Sequence, residues 1–244
     1  MQKYILILAL LFTKLTNVIA NDQFNIFSTE EQIIQNNEIN DPFEKYNRKI
    51  YSFNLFIDKY STKPLAKFYQ KATSKTVRSS VSNFFSNLYM PVTIINSLLQ
   101  LDFANTAYAS RNLIINSTIG VAGLFNPAEQ NFKLAKAKKA NFSQTLATYN
   151  VGTGPYLMLP FLGPSSLRNF TGDIIDMPLN PLWHDYNNSF NKKKYLLNLT
   201  NITNNRAKLL NIVDDIEKNS LDPYSVVKSA YVQRRIKMVN NEPN

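Results

Sequence analysis

Gly152-Thr153-Gly154-Pro155-Tyr156-Leu157-Met158-Leu159-Pro160-Phe161-Leu162-Gly163-Pro164-Ser165-Ser166-Leu167-Arg168 is the stretch on which the reading of the chain turns. It holds three of the six glycines, and all six fall between Gly120 and Gly172. A chain this sparing with glycine places it for backbone reasons: positive φ, or close approach of two segments. Two Gly-Pro steps, Gly154-Pro155 and Gly163-Pro164, bracket the apolar run 156–162. Proline fixes φ and removes a donor, so each step is a shaped turn. The run is too short to span a bilayer, which takes about 20 residues. The expectation is an apolar wall held between two turns. Gly152 and Gly154, with one residue between them, are candidates for a hinge ahead of that wall.

Working outward, the 244 residues carry a formal net charge of +10 and are 44% hydrophobic, enough for one domain with a buried interior. There is no cysteine, which excludes disulfides, thiolate metal sites and a cysteine nucleophile. The first twenty residues read as a secretory leader: Lys3, an apolar run at 4–12, and Val18-Ile19-Ala20 before a cleavage point after Ala20. Residues 21–40 are polar and aperiodic and read as a tether; 41–240 read as one helical domain. An exported basic protein has no nucleic acid to meet. Its anionic partners are phospholipid headgroups or an acidic carrier protein, unless the lysines serve solubility alone.

Asp41-Pro42-Phe43-Glu44 has the form of a helix start, with Asp41 as N-cap, Pro42 in the first turn and Glu44 completing a capping box. Phe43, Tyr46, Ile50, Phe53, Ile57 and Tyr60 then recur at helical spacing, with Leu55 and Phe56 off the stripe. Such a helix is apolar on more than one side. Further stripes run through Val77 to Leu88, Ile94 to Leu99, and Ala107 to Ile115, the last capped by Asp102. Arg111 on that last helix packs its stem and turns its head either to an acceptor or to a headgroup. The lysine-rich segment 132–140 is a solvated loop or helix face, or a phosphate-facing patch. Residues 196–216 keep helical spacing, and Asp222-Pro223 starts a last helix. No sustained period-two alternation is visible. The fold class expected is all-α, multi-helix, with short irregular Gly/Pro-rich segments.

Most enzyme classes find no support. His184 is the only histidine, Ser165-Ser166 lacks the nucleophile elbow, and Gly152-Thr153-Gly154 lacks the third glycine of a dinucleotide loop. No cofactor and no metal are called for.

Several motifs together resemble the MlaA (VacJ) family of outer-membrane lipid-asymmetry proteins. They are Asp41-Pro42-Phe43-Glu44 with Asn47-Arg48 and Phe53-Asn54; Arg111 with Asn116-Ser117 and Gly120; Gly123-Leu124-Phe125; and the run 151–168, including Tyr156, Leu159-Pro160, Gly163-Pro164-Ser165 and Arg168. Asp222-Pro223-Tyr224 and Gln233-Arg234 follow in the same order. The resemblance implies a ring-like helical protein seated in the inner leaflet of the outer membrane, on the periplasmic side. It implies a passive channel that takes mislocalised phospholipids from the outer leaflet to a periplasmic carrier and, for some members, an associated trimeric porin. It also implies roles in the channel for Phe43, Asn47, Phe53, Asn54, Arg111, Asn116, Gly120 and Gly123, and in its hinge region for Gly152, Gly154, Pro155, Tyr156, Leu159, Pro160, Gly163, Pro164, Ser165 and Arg168.

The chain departs from the family pattern in lacking the lipid-bearing cysteine, in Asn126 where aspartate is common, and in Asn150 where some members carry glycine. Membrane retention without acylation is the corresponding expectation. A membrane-surface scaffold without a lipid path is the competing reading, and a polar-lined path behind residues 156–162 separates the two.

Overall fold

A computed structural model describes residues 41–181 and 192–239; the leader, the tether and His184 lie outside the described residues. Within them the first helix, α1 (Glu44–Ile57), runs through a π-helical turn (Asp58–Thr62) into α2 (Lys63–Ala72). The chain continues as α3 (Lys75–Leu88), α4 (Met90–Leu99), α5 (Phe103–Thr118), the short α6 (Pro127–Gln130) and α7 (Phe142–Thr148). A two-stranded antiparallel hairpin follows, β1 (Tyr156–Leu159) and β2 (Gly163–Ser166). After it come α8 (Leu167–Asp176), a 3-10 turn (Met177–Leu179), α9 (Lys192–Lys208), α10 (Leu210–Asn219) and α11 (Pro223–Val239). The all-α class holds, with one exception. The 156–162 run is not a plain wall but a strand and its turn, with residues alternating between buried and half-buried. Its sequence hides this because both faces of Tyr-Leu-Met-Leu are apolar.

Several helix starts follow the local chemistry. The Asp102 carboxylate accepts from Asn105 N–H (2.9 Å) and Asp222 from Ser225 N–H (3.4 Å). Asn141 and Gln144 form a reciprocal capping box at α7. Asp41 differs from expectation. The N-cap position of α1 is Phe43, with no side-chain cap bond. The Asp41 carboxylate instead accepts from Asn47 Nδ2 (2.7 Å), Lys228 Nζ (3.2 Å) and the Tyr224 hydroxyl. Charged and phenolic donors outcompete a backbone N–H that water can satisfy.

Arg48 makes a bidentate pair with Asp222 at 3.0 and 2.6 Å and also holds Glu44 at 2.7 Å. Together with Asp41 these contacts join the first and last helices of the described unit. At the π-turn, Arg206 of α9 grips Asp58 with two 2.8 Å bonds, and Lys63 holds Asp214 of α10 at 2.8 Å.

The interior is unusual. Buried apolar residues are few and mostly small: Ala66, Ala207 and Leu210 in one cluster, and Tyr156, Met158 and Tyr224 in another. Buried polar residues outnumber buried hydrophobic ones by 18 to 11 among the described residues, while 36 large hydrophobics are exposed. Burying a polar group is costly unless it is hydrogen-bonded, and these asparagines, serines and threonines largely bond one another across helices. Asn105 Nδ2 donates to Ser97 Oγ (2.7 Å), and Asn204 Nδ2 donates to Ser82 Oγ (2.9 Å). Among the described residues no helix is long and apolar enough to cross a membrane.

Candidate functional site

The hairpin is held along its outer edge by two side chains of α1. Asn47 and Asn54 lie seven residues apart, two helical turns, and so share a face. Asn47 Nδ2 donates to the Tyr156 carbonyl (3.1 Å) while its Oδ1 accepts from Met158 N–H (2.8 Å). Asn54 Nδ2 donates to the Leu159 carbonyl (2.9 Å) while its Oδ1 accepts from Phe161 N–H (2.8 Å). Each side-chain amide stands in for a peptide unit of a third strand, so the edge of β1 is paired without one. Phe53 adds an edge-on contact with Phe161, with ring centroids 5.3 Å apart.

Three features shape the hairpin itself. Gly163 (φ +82) and Gly154 (φ +69) both sit in the left-handed region. At Gly163 a Cβ would meet nothing within 4 Å, so backbone conformation alone calls for glycine there. Pro164 pairs with Met158 on β2, and Pro160 opens the turn, where Phe161 also takes φ +64. Tyr156 and Met158 are buried against Tyr224, while Phe161 and Leu162 at the tip are 73% and 75% exposed. Burial, then the charge of Asp41, pushes the Tyr156 hydroxyl far above the usual phenol range, so it stays protonated.

The entry to the hairpin is tied to α8. Leu167 N–H bonds the Pro155 carbonyl (3.2 Å), Arg168 N–H bonds the Thr153 carbonyl (3.1 Å), and the buried Arg168 guanidinium donates to the Val151 carbonyl (2.8 Å). Gly152 lies between these fixed points, without positive φ. Ser165 is buried, and Ser166 caps α8.

The other sequence-derived candidates form a separate group around α5. The Arg111 guanidinium donates to the Ala135 carbonyl (3.2 Å) and stacks over Tyr108. Asn116 Oδ1 accepts from Ala128 N–H (3.2 Å). Gly120 and Gly123 line the turn after α5, where a Cβ on Gly123 would strike the Asn87 side chain. Phe43 is half exposed at the start of α1. The structure therefore brings Asn47, Phe53 and Asn54 to residues 156–161, and places Arg111, Asn116, Gly120 and Gly123 elsewhere. The two substitutions within the motifs are accommodated. Asn126 caps α6 through Glu129 N–H (3.4 Å), as aspartate would, and Asn150 holds φ +59, which asparagine tolerates better than most residues.

Sequence reasoning missed a polar junction of three helices. Asp176, at the end of α8, accepts from Asn96 Nδ2 of α4 and from Phe142 N–H at the start of α7, both at 2.8 Å, and Thr145 Oγ1 donates to Asn96 Oδ1 (2.8 Å). Only the abundance of asparagine hinted at it. Burial raises the Asp176 carboxyl, and the two donated hydrogen bonds offset part of that. One turn earlier, burial and then the Asp176 charge push Asp173 up to about 6, against the pull of Arg235. Asp173 is nonetheless exposed to solvent. No group of carboxylates or histidine suited to a metal ion occurs among the described residues.

The family model described as MlaA lipoprotein matches residues 39–238, from before α1 to the penultimate residue of α11. The chain belongs to the MlaA family. It is 34% identical over 197 residues to the intermembrane phospholipid transport system lipoprotein MlaA of Escherichia coli, covering 80% of this chain and 76% of that one. A protein of Rickettsia bellii is 36% identical over 233 residues, covering 94% and 89%. A solved structure, described as the structural basis for maintenance of bacterial outer membrane lipid asymmetry, aligns with TM-score 0.69 and 31% identity, covering 82% of this MlaA-family chain and 99% of that chain.

Proposed function

We propose that this MlaA-family chain gives phospholipids a passive route out of the outer leaflet of the outer membrane toward a periplasmic carrier. The observation that carries the reading is the inverted distribution of side chains: asparagine, serine and threonine inside, and Phe, Leu and Ile outside. In water that arrangement wastes the main driving force for folding. Against acyl chains it does not, because exposed Phe56, Phe68, Ile114 and Phe161 then face hydrocarbon. The names of the relatives support phospholipid as the cargo.

In this reading the acyl chains follow the apolar outer surface to the hairpin tip at Phe161 and Leu162. Headgroups follow the polar side chains, exposed Asp173 among them. Asn47 and Asn54 set the height of the tip, and residues 152–154 are the pivot on which it moves. No energy source is required, since the lipid moves down its own gradient to the carrier. Because the sequence holds no cysteine, retention in the membrane rests on the exposed apolar side chains after cleavage at Ala20. A trimeric porin neighbour belongs to the same reading.

The test is a Leu162→Trp variant reconstituted in vesicles containing phospholipid brominated along the acyl chain. Quenching of the new fluorescence above that of Trp183 in the parent is the expected result. A tip that brominated acyl chains leave unquenched, with the protein still membrane-bound, favours a surface scaffold.

A further inference from the structure

The two α1 amides that hold the β1 edge are braced differently. Asn54 is half-buried, and among the described residues its amide has only its two bonds to Leu159 and Phe161. Asn47 is 1% exposed, and its amide has a third bond, from Nδ2 to Asp41 Oδ1 (2.7 Å). Asp41 and the Tyr156 carbonyl thus take both Nδ2 hydrogens, and Oδ1 takes the Met158 N–H.

The local sequence explains why a carboxylate reaches this amide. Proline disfavours helical backbone at the residue before it, so Asp41 stays out of α1. Glu44 N–H donates to the Asp41 carbonyl (3.2 Å), closing a turn that brings the Asp41 side chain back to Asn47. There that side chain is 3% exposed. A buried carboxylate is costly unless it is paired and hydrogen-bonded, and α11 supplies both. Lys228 Nζ (3.2 Å) and the Tyr224 hydroxyl donate to Oδ2. Burial, then the bond to Asp41, hold that hydroxyl far above the usual phenol range, so it stays a donor. Oδ2 therefore serves α11 and Oδ1 serves Asn47. The Tyr224 ring also packs edge-on against Tyr156 of β1, with centroids 6.2 Å apart.

A hydrogen bond to an ionised acceptor is roughly twice as strong as a neutral one, and it orients what it holds. An Asn47 amide turned by half a revolution would set Oδ1 against the Asp41 carboxylate and Nδ2 against the Met158 N–H. Asp41 keeps the amide in the one orientation that pairs with β1, whether or not β1 is in place. Nothing among the described residues does the same for Asn54.

We propose that Asp41 is a positioning residue for the hairpin. Acting through the Asn47 amide, it braces the base of β1 on α1 and couples it to α11. The tip, held by the unbraced Asn54, is the end that lifts. A consequence for lipid movement rests on the transport reading above.

The test is amide hydrogen exchange, read by NMR on the full chain in an uncharged maltoside detergent. Three N–H groups are compared: Met158, held by Asn47; Phe161, held by Asn54; and Lys138, held by Asn105 of α5 (2.8 Å). Asp41→Ala should speed exchange at Met158 about tenfold, the loss of one charge-assisted hydrogen bond, and leave Phe161 and Lys138 unchanged. Asp41→Asn keeps an acceptor oxygen, loses the charge and should fall in between; it carries the test if Asp41→Ala does not fold. In an Asn47→Ala background neither substitution should change Met158 further. Met158 exchange left unchanged by a folded variant, exchange raised equally at all three groups, or the same rise in the Asn47→Ala background overturns the proposal. If Met158 responds as expected while Asp41→Asn leaves outer-leaflet phospholipid in cells unchanged, the part of the hairpin in transport fails and the positioning role stands.

Discussion

Asn47 carries more of the site than its size suggests. It is 1% exposed and bonds Asp41, Tyr156 and Met158 at once. Asn47→Leu keeps the volume and strands both the Tyr156 carbonyl and the Met158 N–H in a dry place. A loss of about 3 kcal/mol is expected in denaturant unfolding. Asn54→Ala should cost about 1 kcal/mol, because water reaches the exposed Phe161 N–H that it leaves behind. Equal costs at the two positions would contradict the edge-pairing account. Asp173 gives a pH signature of known sign. Its folded-state value of about 6 lies above the ordinary carboxylate value of 3.8, so the folded protein holds the proton more tightly. Stability therefore falls as pH rises between those values and is flat above them. Asp173→Asn should remove that slope and leave the variant more stable than its parent above pH 6, as read from melting temperature across pH 4–8.

Among the elements, the hairpin is where the account is most exposed to test. Gly154 needs φ +69, and a Cβ there would lie 3.0 Å from Leu167 Cβ. Gly154→Ala should cost about 1–2 kcal/mol for the left-handed backbone alone. Gly152 has no positive φ and donates no hydrogen bond among the described residues. Gly152→Pro should therefore leave protein level and location unchanged while stiffening the pivot and raising outer-leaflet phospholipid. Normal asymmetry with Gly152→Pro would remove the hinge from the account. The helices were legible in the sequence because their stripes and caps are local: Asp102 and Asp222 cap where they stand. The hairpin was not, because a four-residue strand of Tyr-Leu-Met-Leu has no polar alternation to reveal its period. Asp41 misled for a related reason. Its carboxylate goes to Tyr224 and Lys228, 183 and 187 residues further along, and no spacing rule reaches that far. Asn47 and Asn54 were marked only by family resemblance, although their seven-residue interval already put two amides on one face of α1.

At the scale of the molecule, the polar interior and apolar exterior of the described residues suit the proposed seat, in which hydrocarbon covers much of the surface. Fractionation of cells expressing the chain should find it with the outer membrane, its mature N-terminus at Asn21 and no acyl group by mass spectrometry. A wholly soluble periplasmic protein would contradict a membrane seat. The central claim is a route for phospholipid, and membrane residence alone does not test it. The most direct measurement is the amount of phospholipid in the outer leaflet of a Gram-negative strain that lacks its own family member, before and after this chain is expressed. The account predicts that expression lowers outer-leaflet phospholipid to the level of the parent strain. A chain that reaches the outer membrane in normal amount and leaves that phospholipid unchanged would contradict it.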